Sequence, residues 1–436
     1  MKRWTGPFCY AACLLLALLM YLVRPDHATM AGVLLVLALA LYAREPSRLA
    51  VVYLGLVVNV LFLVLALVLT EGRISYLTDD EFTSYYAKAL LLETAFWASL
   101  GCFVELRPRR SRPVAAETTP LRLRMPPHWL TLTAIVVLMT EMALSSGSYF
   151  AQYAEVSDTG TIAYEVGCLL VALSVVYRST SRTGRGALLL EVFAVGIALF
   201  IALASGKRLP LAFVIVAYML LSLKTHGKAR TLLLFIGISV VGYGFGIVRD
   251  FMTLSGVDAA LLSEGFGSTN QGAVLHASAV YVRIADEGLS TVGDRLVSFL
   301  SNFIGALVLP LSLLPPQAQV NMHAMPFYTV QGNGGFVSSY AYFFLGLLGP
   351  FVVAGIVAFL LHRRGRWMRV AGIVIVLTSP RWILYNIGPV ARLISLTLVI
   401  LVVLELLSSS SRRSFTASSG ALKPPNPSAP PASLHA

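Results

Sequence analysis

Charge is what this sequence has least of. Only 12% of its 436 residues are Asp, Glu, Lys or Arg, while 57% are hydrophobic and the mean hydropathy is +0.77. That balance excludes a soluble domain of any size. Cysteine is scarce as well: Cys9, Cys13, Cys102 and Cys168 all fall inside apolar segments, so they form neither a disulfide framework nor a zinc pattern and read as small packing residues. There is no GxxxxGK[ST] phosphate loop, no GxGxxG after a strand, no HExxH, no CxxC and no repeat of 20 to 50 residues. "GYGFG" at 242–246 has the wrong spacing for a dinucleotide fold and sits in an apolar run, where Gly permits close helix packing. These absences exclude chemistry on a cytosolic nucleotide. The net charge of +12 lies in short loops between apolar runs, so it reads as a membrane orientation signal rather than a nucleic-acid surface.

What is abundant is apolar sequence in lengths that cross a bilayer, about 20 residues for each span. Runs lie near 7–23, 30–43, 49–70, 87–106, 128–144, 161–177, 187–204, 209–223, 231–248, 340–361, 370–387 and 391–407, giving twelve candidate spans. Lys2 and Arg3 before the first run imitate a signal peptide, but no small-residue cleavage site follows, and the run fits as a first span. With a cytoplasmic N-terminus, 23 of the 33 Lys and Arg residues fall in cytoplasmic loops and tails, including "RPRRSR" and "HRRGRWMR". Segment 296–314 is expected to be interfacial or re-entrant. Segment 370–387 is expected to be short or interrupted at "SPRW", because Pro380 breaks a regular helix. The Ser- and Pro-rich stretch 408–436 reads as a disordered cytoplasmic tail.

This topology leaves ten cations outside: Arg24, Arg73, Lys88, Lys207, Arg208, Arg249, Arg283, Arg295, Arg381 and Arg392. External cations oppose the insertion bias. Lys207 and Arg208 in the turn "SGKR", with Arg381 and Arg392 at span ends, read as ligands for something anionic, since guanidinium donates to phosphate in a bidentate way. Snorkelling to headgroups is the alternative, preferred for Arg24, Arg73 and Lys88. The external stretch 249–339 opens with Arg249 and Asp250. It holds a segment where Val274, Ala277, Tyr281 and Ile284 recur at helical spacing, while His276, Arg283 and Glu287 share another face. That pattern predicts an amphipathic helix lying over the membrane domain. Arg283 and Glu287 are a surface pair or a functional one, and His276 and Asp250 are candidate bases. In "TDDEF", Thr78 and Glu81 read as a capping box rather than a metal site. Glu93, Glu141 and Glu165 fall in the external halves of spans, where they can pair with the arginines.

With the Ser-Gly-Lys-Arg turn at 205–208, the layout of 249–339 and "GGFVSSYAYFFLGLLGPFV" from Gly334, the chain resembles the O-antigen polymerases and related bacterial polysaccharide repeat-unit polymerases. The resemblance implies an all-α polytopic membrane protein of about twelve transmembrane helices, GT-C-like, with a large periplasmic loop containing short amphipathic helices. The domain is 1–407. It implies transfer of a growing glycan from undecaprenyl pyrophosphate to the non-reducing end of a lipid-linked repeat unit at the periplasmic face of the inner membrane. Lys207, Arg208, Arg249, Arg283, Arg381 and Arg392 would contact the pyrophosphate, and Asp250, His276 or Glu287 would activate the acceptor hydroxyl. The implied partners are the lipid-linked oligosaccharide, the bilayer and a chain-length regulator protein, with no cofactor, no metal and no nucleic acid. One family pattern, Arg-x10-Gly, is met only nearly: Arg283 and Arg295 precede Gly293 and Gly305 by nine intervening residues. The rivals are an O-antigen ligase, against which "NGGFVSSYAYFF" lacks a His, and a flippase, which calls for polar breaks reaching the bilayer midplane.

Overall fold

The computed structural model describes residues 5–46, 48–69, 80–106, 123, 125–145, 161–179, 185–205, 209–253, 270–300, 334–362, 365–384 and 388–419. Every regular element among them is helical. The first eight helices are α1 (Thr5–Val23), α2 (His27–Arg44), α3 (Leu49–Leu69), α4 (Thr83–Glu105), α5 (Pro127–Leu144), α6 (Thr161–Arg178), α7 (Arg185–Ser205) and α8 (Leu209–Thr253). They are followed by α9 (Asn270–Asp286), α10 (Val292–Leu300), α11 (Val337–Leu345), α12 (Gly349–His362), α13 (Arg366–Leu377), α14 (Ser379–Leu384) and α15 (Gly388–Ser419). Nine stretches among the described residues are long and apolar enough to cross a membrane: α1 to α5, Gly186–Ser205, Leu209–Val241, Val337–His362 and Val390–Ser409. This is a polytopic membrane protein. The other expected spans are also helical, as α6, the second arm of α8, and the α13–α14 pair.

α8 is two helices joined at Gly227, whose φ of 77° is open to glycine and strained for other residues. The bend is tied to the end of α2: the Tyr42 hydroxyl donates to the Lys228 carbonyl (2.7 Å), while Lys228 Nζ donates to the carbonyls of Tyr42 (3.0 Å) and Ala43 (2.8 Å). An ammonium on the last carbonyls of a helix meets the negative end of its dipole. The Arg44 guanidinium donates to Thr5 Oγ1 (2.7 Å) and lies 3.6 Å from Glu105, while the Tyr10 hydroxyl donates to Glu105 (2.6 Å). The start of α1, the ends of α2 and α4 and the bend of α8 therefore share one end of the bundle, here the proximal end. The start of α2, the start of α4 and the end of α9 share the other, distal end. At the start of α2, Asp26 caps the helix by accepting from the Thr29 amide at 2.9 Å.

The stretch expected as one span over 340–361 is not one straight helix. α11 ends at Gly346 (φ 62°), a turn of 3₁₀ helix follows, and a Cβ built on Gly349 would run into the carbonyl oxygen of Ala341. Eight residues of straight α-helix rise about 12 Å, so the chain has turned back. α11 runs antiparallel to α4, since Ser338 meets Glu93 and Tyr342 meets Lys88. α12 then descends beside α4, with Gly355 against Phe103. α13 and α14 break at Thr378 and Ser379, next to Pro380, as "SPRW" predicts. α15 continues to Ser419, past the boundary expected at 407, because "SSSSRRSF" contains no residue that forbids helix.

α9 forms where the spacing predicts, but its surroundings correct the expectation of a surface amphipathic helix. Residues 274–282 are all buried, packed among α4, α3 and α11. Its small residues, Ala277, Ser278 and Ala279, admit neighbours on several faces, and its buried polar groups His276 and Ser278 meet the Tyr86 hydroxyl and the Phe336 amide. The strongly amphipathic short helix is α10, with Val292, Leu296 and Leu300 exposed and Ser298 buried.

Candidate functional site

The site is assembled halfway down α4. Glu93 is the eleventh residue of that 23-residue helix, about 18 Å along it from Glu105, and it is fully buried. Its carboxylate accepts from Trp97 Nε1 (2.6 Å), from the Ser338 hydroxyl and from the Ser338 amide in the first turn of α11. No basic side chain pairs with it among the described residues. The carboxylate sits where the positive end of the α11 dipole can stabilise it, which is how an acid tolerates this depth without a cation.

Around Glu93 two breaks in the membrane helices meet. The Gly335 amide donates to the Leu384 carbonyl at the end of α14 (3.0 Å), and the Phe336 amide donates to the Ser278 hydroxyl on α9 (2.7 Å). Trp382 stacks on Trp97, with ring centroids 5.7 Å apart. The Ser339 hydroxyl is buried with no hydrogen-bond partner among the described residues. The Gly- and Ser-rich lead "GGFVSS" is thus held by α4, α9 and α14 inside the bundle, where non-helical backbone survives only when protein satisfies it.

On the other side of α14 lies a charged group. Arg381 Nε is 3.6 Å from Glu165 Oε1, near the start of α6, and Glu165 also acts electrostatically on Arg392 of α15. Glu165 is 3% exposed and Arg392 9%. Arg381 thus meets a buried carboxylate more than 200 residues away, the pairing expected for Glu165, and Arg392 lies within its electrostatic reach. Glu141 instead accepts from Ser145 at 2.9 Å.

At the distal rim, α9 is clamped to α4. Arg283 Nε donates to Glu287 (2.9 Å), and its Nη1 lies 3.4 Å from Glu81, with the guanidinium over the Phe82 ring. The Tyr85 hydroxyl donates to Glu287 (2.9 Å). Lys88 Nζ, read from sequence as a headgroup cation, donates to both Asp286 oxygens (2.8 and 2.6 Å) and to the Tyr342 hydroxyl. His276 is buried, its Nδ1 2.8 Å from the Tyr86 hydroxyl. Arg295 donates to the carbonyls of Ala285 and Ser290, closing the end of α9.

Of the sequence-predicted residues, His276, Arg283 and Glu287 therefore share the α9 rim, and Arg381 and Arg392 share Glu165. Lys207 and Arg208 lie outside the described residues, as does Thr78. The backbone of Arg249 and Asp250 continues α8, and their side chains lie outside the description. The sequence reading missed the partners of Glu93. The available signal was a lone acid four residues before a Trp, in a segment otherwise uniform enough to be a lipid-facing span. Among the described residues no group of three or more His, Cys, Asp or Glu side chains is placed to hold a metal. Comparison with known protein families, with curated proteins and with solved structures finds no match to this chain.

Proposed function

We propose that the protein is an O-antigen-type repeat-unit polymerase acting at the distal end of the bundle, with that end periplasmic, the termini cytoplasmic and the membrane the bacterial inner membrane. The observation that carries this reading is the gathering of Arg381 and Arg392 around Glu165. An acceptor hydroxyl attacks the anomeric carbon of the growing glycan. The bond to undecaprenyl pyrophosphate breaks with its electrons leaving on the carrier, and the hydroxyl proton passes to a base. Arg381 and Arg392 stabilise the charge growing on the pyrophosphate, with Lys207, Arg208, Arg249 and Arg283 as further cations. Asp250, His276 or Glu287 takes the proton. Tethering both glycans to lipid in one leaflet supplies proximity.

Deletion of the gene is expected to leave lipopolysaccharide bearing a single repeat unit while the ladder of longer chains disappears. A second reading, movement of the lipid-linked oligosaccharide across the bilayer, is favoured by one observation, the two helix breaks that meet beside Glu93. It predicts that deletion removes the single-unit form too, and that outcome would replace the polymerase reading.

A further inference from the structure

The proximal end carries a second charged surface that the reaction leaves unused. The turn between α2 and α3 holds Arg44, Glu45 and Arg48, and the bend of α8 holds Lys224, His226, Lys228 and Arg230. The Tyr42 and Lys228 hydrogen bonds draw these two turns together. Two cations are already committed there: Lys228 to the α2 carbonyls, and Arg44 to Thr5 and Glu105. Lys224 and Arg230 are exposed and make no hydrogen bond or ion pair among the described residues. The positive charge of Arg48 acts directly on Lys224. The fold therefore brings the like charges of Arg48 and Lys224 within electrostatic reach of each other, an arrangement that an added anion stabilises.

The surroundings identify the kind of anion. Leu233 and Leu234, about one turn beyond Arg230 on the second arm of α8, are 70% and 48% exposed. On α2, Val36 and Leu39 are 59% and 42% exposed, about two turns and one and a half turns before Arg44. Cations at the end of the bundle, followed one to two turns deeper by outward-facing aliphatic side chains, match an amphiphile whose phosphate lies at the interface and whose acyl chains lie along the helices. A free phosphate would use only the first half of that surface.

We infer that Arg48, Lys224 and Arg230 form a binding site for the headgroup of an anionic phospholipid at the proximal end of the bundle, with its acyl chains along α2 and the second arm of α8. The site is independent of the polymerase reading, because it lies at the opposite end of the bundle from the Glu165 group.

The test uses the purified full-length protein in neutral detergent, with thermal unfolding followed as cardiolipin, phosphatidylcholine or inorganic phosphate is added. Cardiolipin is expected to raise the midpoint, while phosphatidylcholine and millimolar phosphate leave it unchanged. The combined variant Lys224→Gln, Arg230→Gln should keep the lipid-free midpoint and need at least about tenfold more cardiolipin for the same rise. An equal response of the variant to cardiolipin overturns the site, and so does an equal response of the native protein to phosphatidylcholine. Stabilisation by phosphate equal to that by cardiolipin overturns the lipid assignment in favour of a free anion. Should the combined variant not fold, Lys224→Gln alone alters one exposed side chain with no hydrogen bond or ion pair among the described residues; an unchanged cardiolipin requirement in that protein sinks the proposal as well.

Discussion

At the scale of single residues, three acids carry different burdens. Glu93 satisfies three donors in the core of the bundle, so Glu93→Ala strands the Trp97 and Ser338 groups at about 1–3 kcal/mol for each unsatisfied donor. The expected order of melting temperature is native, then Glu93→Gln, which keeps one acceptor, then Glu93→Ala. Equal values for the two variants would refute the capping role. Glu165 and Arg381 are mutually dependent: Arg381→Ala leaves a buried carboxylate short of a cation and is destabilising. The double variant Arg381→Ala, Glu165→Ala should regain much of that stability while still failing to make the polysaccharide ladder, which separates folding from chemistry. Recovery of the ladder in the double variant would remove Arg381 from the reaction. Asp26 lies outside the spans. Burial pushes its carboxyl pKa up, but the hydrogen bonds from Thr29, with the His27 charge and the Ala28 amide, together outweigh this and hold it below the ordinary value. Its folded pKa is depressed, so its contribution is present above the unfolded value near pH 4 and is lost as pH falls through the folded value. Asp26→Ala should cost about 1 kcal/mol at neutral pH, and the gap in melting temperature from the native protein should close on acidification below about pH 4.

At the scale of elements, the α11–α12 turn is the least tolerant feature. Gly349→Ala places a methyl group against the backbone of Ala341, and no side-chain rotation relieves a backbone contact. The variant is expected to lose monodisperse protein on size exclusion, whereas Gly227→Ala, in open space with only its φ strained, should remain monodisperse with a loss of about 1 kcal/mol. Equal tolerance at both positions would mean that α11 does not turn back. α9 shows why helical period alone misjudged an environment. The period identified the helix and the face bearing His276, Arg283 and Glu287, but a polar face can be satisfied by Tyr86, Glu81 and a neighbouring backbone amide as well as by water. The same limit applies to "GGFVSSYAYFFLGLLGPFV": its composition is that of a span, and its folding back rests on Gly346 and on the contact between residues eight apart.

For the whole molecule, the orientation follows from which helix ends share contacts. Under the proposed topology, alkaline phosphatase fused after Ser145 should be active and green fluorescent protein fused after His362 should fluoresce. The reverse pattern would turn the bundle over and move the Glu165 group away from the periplasmic leaflet. Composition by itself determined that the chain is a helical membrane protein, because apolar runs of this length have few other stable solutions and the helix hydrogen-bonds its own backbone. Local sequence also determined the break at Pro380, where one residue's backbone limits suffice. Tertiary structure alone decided that Glu93 caps a helix from another segment, that α11 reverses, and that Arg381 and Arg392 converge on Glu165. The contacts of Glu93 and Glu165 join residues more than 200 positions apart, the reversal of α11 rests on a packing contact that composition does not reveal, and a uniformly apolar sequence gives little sign of which face of each helix meets protein and which meets lipid.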